Sequence, residues 1–110
     1  MSQPDLDLPQ GTLHLLILKV LTWGPRHGYQ IARLIEERTG DRLSIEEGSL
    51  YPALYRMERK GWIEPEWGIS ELGRRAKFYA LTPLGRRQLV REIEHWRVVA
   101  SSIAAILKAE

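Results

Sequence analysis

The side chains able to do chemistry are three histidines, fourteen carboxylates and sixteen lysines and arginines, with no cysteine among the 110 residues. The missing thiols exclude a disulfide framework, a Cys-ligated zinc and a thiol nucleophile together, and agree with a reducing cytoplasm. His14, His27 and His95 fall in three different segments, and none forms an HExxH-type ligand pair. No GxSxG elbow, phosphate loop or GxGxxG turn frames the serines, aspartates and histidines. Glu36-Glu37 and Glu46-Glu47 read as solvated faces or helix-end charges. The chain is therefore expected to carry no catalytic residue, no metal and no cofactor, and not to be an enzyme.

Two basic groups remain. Arg56, Arg59 and Lys60 form one, and Arg74, Arg75 and Lys77 the other, with Glu71 the single acid near the second. Guanidinium and ammonium groups bind phosphate oxygens, and arginine also pairs with the guanine edge in a major groove. One such cluster is ordinarily a solvated helix face. Two carry weight only if the fold presents both to the same duplex. The net charge of +2 is too small to name a nucleic-acid partner by itself.

The elements that would hold these groups can be read from patterning. Apolar residues at 44% and charged residues at 27% suit a folded core, and 110 residues suit one domain. A chain this short buries only about two thirds of its unfolded surface, so a permanent partner would aid its stability. Residues 1–9, with Pro4 and Pro9, read as an extended arm. From Gln10 to Leu21 a helix is apolar on nearly every side, so it should be covered on two faces. A break at Trp23–Gly28 leads to a second helix that ends at Thr39-Gly40. A third starts near Glu47–Ser49 and closes at Lys60-Gly61, with Pro52 in its first turns. Its Leu50, Leu54, Met57 and Gly61 share one arc, while Ser49, Pro52, Tyr55, Arg56, Arg59 and Lys60 face outward and Tyr51 lies at the boundary.

Trp62–Trp67 and Lys77–Leu81 then read as a β-hairpin with a long basic tip, its first strand made ragged by Pro65. Thr82-Pro83 starts a last helix that runs to about Leu107. Leu89, Ile93, Trp96, Ala100, Ile103 and Leu107 follow at spacings of 4, 3, 4, 3 and 4, a heptad seam along its whole length. About 25 residues of helix span roughly 37 Å, more than a three-helix core can cover, so the seam calls for a second copy. The outer face of the first helix, Leu15 and Leu18, is expected to join it. Apolar runs such as Leu15–Leu18 are far too short for a membrane span, and the N-terminus lacks the order of an export signal, so a cytoplasmic protein is expected.

The fold class expected is thus mainly α with a small β-hairpin. It divides into a winged helix-turn-helix over 10–82, in which the third helix enters a major groove and the hairpin lies on an adjacent backbone or minor groove, and a long C-terminal dimerisation helix over 83–110. At this point a resemblance is plain. His27-Gly28-Tyr29-Gln30-Ile31, Gly48-Ser49-Leu50-Tyr51-Pro52-Ala53-Leu54 through Lys60-Gly61-Trp62-Ile63, and Phe78-Tyr79-Ala80-Leu81-Thr82-Pro83-Leu84-Gly85 resemble the PadR family of bacterial transcriptional regulators from about Leu8 onward. The resemblance implies a homodimeric repressor of an inverted-repeat operator in double-stranded DNA. By position it implies DNA contacts from Ser49, Tyr51, Tyr55 and Arg56 on the third helix and from Arg75 and Lys77 on the wing. Pro52, Arg59 and Arg74 complete the expected surface. Ala76 and Ala80 depart from the proline and polar residue common in the family.

The single C-terminal helix is similar to the family's short subgroup, some of which bind flat aromatic drugs between paired tryptophans. Trp96 is accordingly the candidate for a small aromatic effector, against simple packing in the dimer core. The alternative function is a winged-helix module that binds protein and not DNA.

Overall fold

A computed structural model describes residues 8–110. All but the last two residues of the expected arm lie outside that range. The chain order is α1 (Gln10–Leu21), β1 (Arg26–His27), α2 (Gly28–Arg38), α3 (Glu47–Arg59), β2 (Ile63–Ile69), β3 (Arg75–Leu81) and α4 (Pro83–Lys108). The three strands form one antiparallel sheet in the order β1-β3-β2. Three helices, a hairpin and a long terminal helix are the winged helix-turn-helix that the patterning called for.

α1 is apolar all round because the chain surrounds it: α2, α3, β3 and α4 all touch it. Ile17, Leu18, Ile31, Leu50, Leu54, Met57 and Ile63 are the large side chains fully removed from solvent. This corrects part of the expected pairing surface. Leu18 is 0% exposed and Leu89 7% exposed in the single chain, so both lie in its own core, and Ile93 packs against that core. The two-sided burial of α1 is met within one chain, leaving the half-buried Leu15 at its margin.

Two further readings change. β1 replaces part of the break before α2: Arg26 pairs with Tyr79 and His27 with Phe78. Two residues are too few for an alternating pattern to register. β2 is unbroken, with Pro65 opposite Tyr79, because it is an edge strand whose outward N–H groups have no partner to lose. The tip between the strands is short, Ser70 to Arg74, and closes with Ser70 N to Arg74 O at 2.8 Å. Pro52 lies in the second turn of α3, within the first turns expected, and leaves the carbonyl of the exposed Gly48 without its usual helical donor.

One junction joins the reading elements to α4. Thr82 caps α4 by accepting from Gly85 N at 2.9 Å, and its hydroxyl lies 2.6 Å from the Gly61 carbonyl and 3.0 Å from that of Trp62. Thr82 N also donates to Trp62 O at 3.1 Å, and Trp62 N to Met57 O at 3.0 Å. The end of α3, the start of β2 and the start of α4 thus meet through backbone groups. Gly85 permits this approach, since a Cβ there would fall 2.0 Å from Trp62 O. In an ordinary helix Gly→Ala is stabilising. Here Gly85→Ala should lower unfolding free energy by about 3 kcal/mol, measured by urea denaturation, because backbone must move to admit one methyl.

Candidate nucleic-acid interface

The surface begins at the N-terminus of α2. His27 Nδ1 accepts from Gln30 N at 3.3 Å while Gln30 Oε1 accepts from His27 N at 3.2 Å, a reciprocal cap. With Nδ1 accepting, the proton of the neutral ring sits on Nε2, which reaches Glu71 Oε1 at 3.3 Å; Gln30 Nε2 donates to Glu71 Oε2 at 2.8 Å. The wing tip is therefore tied to α2 through one carboxylate. The Glu71 backbone amide, then the hydrogen bond from His27, hold that carboxyl below its ordinary 4.5. Gly28 lets α2 and α3 meet, since a Cβ there would approach the Tyr51 ring to 2.8 Å.

α3 then offers its expected arc. Ser49, Tyr51, Pro52, Tyr55 and Arg59 are all exposed. Arg59 lies over the Tyr55 ring, 5.7 Å from its centroid. Arg56 differs from the others: it is half-buried and its Nε has no hydrogen-bond partner. It stands near His14 of α1, whose ring packs edge-on against Trp62 at 5.8 Å and whose Nε2 also lacks a partner. Burial first, then the Arg56 charge, hold the His14 imidazole below its ordinary 6.5. Arg56 thus sits on the flank of α3 nearer α1, with Arg59 and Lys60 beside it around a concavity of about 280 Å³.

The wing closes the surface from the other side. Register places Pro65, Trp67 and Ile69 of β2 on the same face as Tyr79, Lys77 and Arg75 of β3. Lys77 Nζ makes a 3.2 Å ion pair with Glu58 of α3, which turns this face toward the helix and holds the Lys77 ammonium above its ordinary 10.5. Lys77 and Tyr51 line one groove. Glu71 is accordingly not the only acid near the wing cations; Glu58 comes from α3, distant from Lys77 in the chain, and had no sequence signal. Arg74 and Arg75 are exposed, and Arg75 lies over Trp67. Trp67, Gln30 and the His27 cap are members of this surface that residue patterning missed. The His27-Gly28-Tyr29-Gln30 run was the available signal for the last two.

The expected pairing residues lie elsewhere. From Trp96 outward α4 has little cover from its own chain: Trp96 is 51%, Ile103 54% and Leu107 79% exposed, with Ala100 half-buried. Leu15 of α1 and Trp96 line one concavity of about 260 Å³, together with Thr12, Glu92 and Val99. Among the described residues no helix is long and apolar enough to cross a membrane.

A recognition helix flanked by a cationic wing, with a long terminal helix projecting from the core, defines a winged-helix DNA-binding regulator. The comparisons narrow the class. The model of the transcriptional regulator PadR-like family matches residues 17–91. A transcriptional regulator from Clostridium thermocellum superposes with a TM-score of 0.83 at 30% identity, over 90% of this chain and 96% of that one. A PadR-like transcriptional regulator from Bacillus cereus does so at 0.77 and 29% identity, over 92% and 96%. The sequence is also 33% identical over 97 residues to an uncharacterised protein X of Lysinibacillus sphaericus, covering 88% of this chain and 89% of that protein. The chain belongs to the PadR-like family of transcriptional regulators, whose members are regulators and not enzymes.

Two outcomes follow from the charges. The unfolded chain protonates His14 near its ordinary 6.5 while the folded chain resists, so stability should fall as pH drops below that value until the folded imidazole also protonates. Urea titrations of His14→Phe should show that portion of the pH dependence flattened. Glu58 pairs with Lys77 in the free chain and its charge would repel a phosphate brought to that lysine, so Glu58→Gln should tighten binding to duplex DNA about two- to fivefold in fluorescence anisotropy.

Proposed function

We propose that two copies pair through the outer half of α4, from Trp96 to Leu107, with Leu15 beside it, and act as a repressor at an inverted-repeat operator. The observation that carries this reading is the division of the heptad seam. Leu89 is used by the core, while the residues from Trp96 outward remain an exposed apolar stripe on a helix anchored through Thr82 and Gly85 to α3. Pairing along that stripe would space two α3 helices about one DNA turn, roughly 34 Å, apart. Ser49, Tyr51, Pro52 and Tyr55 would face the major groove, where each good base contact is worth about 1–3 kcal/mol. Arg59, Arg74, Arg75 and Lys77 would neutralise phosphates or enter the neighbouring groove, making affinity fall steeply with salt. Arg56, half-buried on the α1 side, would be placed at the margin of that surface.

The concavity between Leu15 and Trp96 supports a second element of the reading, a small planar aromatic effector at the dimer centre. Such a compound relieves repression only if it binds one spacing of the two α3 helices better than another. The cleanest test of pairing is Ile103→Glu, which lies beyond the core and should leave the fold intact. Sedimentation should show a dimer for the natural chain and a monomer for the variant, with operator affinity lost in parallel. Retention of the dimer would overturn the seam. Failure of the natural chain to retain duplex DNA at about 100 mM salt, where phosphate-driven binding should be strong, would favour the protein-binding alternative.

A further inference from the structure

The reading above gives Trp67 no role. Trp67 is 59% exposed, far out on the wing, where no core residue covers it. Above its ring lies the Arg75 guanidinium, 4.5 Å from the centroid. Arg75 makes no ion pair among the described residues. The nearest carboxylates in the ladder, Glu64 and Glu66, fall on the opposite face by strand alternation. A guanidinium lying flat over a ring gives up only its face to that contact. Its five N–H donors lie in the plane and stay free at the edge. The indole therefore orders a cation without using any of its hydrogen bonds, which lowers the entropy lost when those donors find acceptors.

The direction is set by the rest of that face. Lys77, directly across from Trp67, is tied to Glu58 of α3, and Tyr51 lines the same groove, so Trp67 and Arg75 continue the exposed arc of the recognition helix. Ile69, directly across from Arg75, is 67% exposed, so the guanidinium has an exposed apolar side chain beside it on that face as well as the indole. An ion meant only for a phosphate needs no such flank. A narrow minor groove, with sugar C–H walls and A·T acceptors on its floor, suits both parts.

We propose that Trp67 is a positioning residue for DNA discrimination: it holds Arg75 edge-on for the minor groove next to the major groove filled by α3, so that the wing prefers A·T-rich flanks. This rests on the DNA-binding reading. The test begins with the full chain and a random duplex library, from which bound sequences are enriched. Three versions of the enriched duplex then keep the α3 half-site and carry A·T, inosine·cytosine or G·C pairs at the wing flank. Inosine lacks the guanine amino group in the minor groove and retains the major-groove edge, so it separates the two grooves.

The natural chain should bind the A·T and inosine·cytosine versions alike, and the G·C version about fivefold or more weakly. Trp67→Ala should lose about three- to tenfold in affinity on the first two and reduce the preference to under about twofold, with an unchanged salt slope because Arg75 keeps its charge. Trp67→Phe should retain most of the preference, and Arg75→Ala should lose it and reduce the salt slope by about one. Thermal melts should show all three variants folded, as expected for an exposed pair. A preference that survives Trp67→Ala, or a loss equal on all three flanks, would overturn the inference alone. A library from which the natural chain enriches no duplex would instead remove the DNA-binding reading, and this inference with it.

Discussion

Everything proposed for this chain depends on a backbone contact at the root of α4. Gly85 rests against the Trp62 carbonyl so closely that no side chain fits between, and the Thr82 hydroxyl links the first turn of α4 to the Gly61 and Trp62 carbonyls. Side-chain packing could let a terminal helix lean by a few degrees. Main-chain contact leaves far less slack, since backbone carbonyls do not change rotamer. A dimer built on the outer half of α4 can therefore transmit its spacing to α3, because Trp62 is hydrogen-bonded in turn to Met57 at the end of the recognition helix.

The charges on the DNA-facing side form a second layer of organisation. Glu71 ties the wing tip to the cap of α2, and Glu58 ties the wing strand to α3. Both carboxylates order cationic or donor groups in the free protein, and under the proposed DNA binding a phosphate would compete with Glu58 for Lys77. Arg75 is arranged differently, on an indole in place of a carboxylate, so its ordering takes nothing from its binding capacity. The proposed interface would thus contain cations of two kinds: Lys77 would exchange a partner on binding, while Arg75 makes no ion pair among the described residues.

Much of the fold was legible because its signals are local. Thr82-Pro83 marks a helix start whatever surrounds it, and the 4-3 spacing of α4 and the aromatic and branched residues of β3 are properties of single segments. The outward arc of α3 followed in the same way from Leu50, Leu54 and Met57. Misreadings arose where the deciding partner was distant. β1 exists only because β3 offers an edge, and Pro65 is tolerated only because β2 is an edge strand. Arg56 was grouped with Tyr55 by helical angle, yet α1 and its buried His14 draw that flank of the helix inward.

Residue order by itself determined the list of elements, the family and the sites of cationic character, since propensity, periodicity and motif spacing all act within short stretches of chain. Only the tertiary structure decided which apolar and charged residues are already partnered. Leu18 and Trp96 look alike as seam positions, but four neighbouring elements enclose the first and little of the chain covers the second. Burial is a sum over everything that surrounds a side chain in space, and a periodic pattern contains only one contributor to that sum.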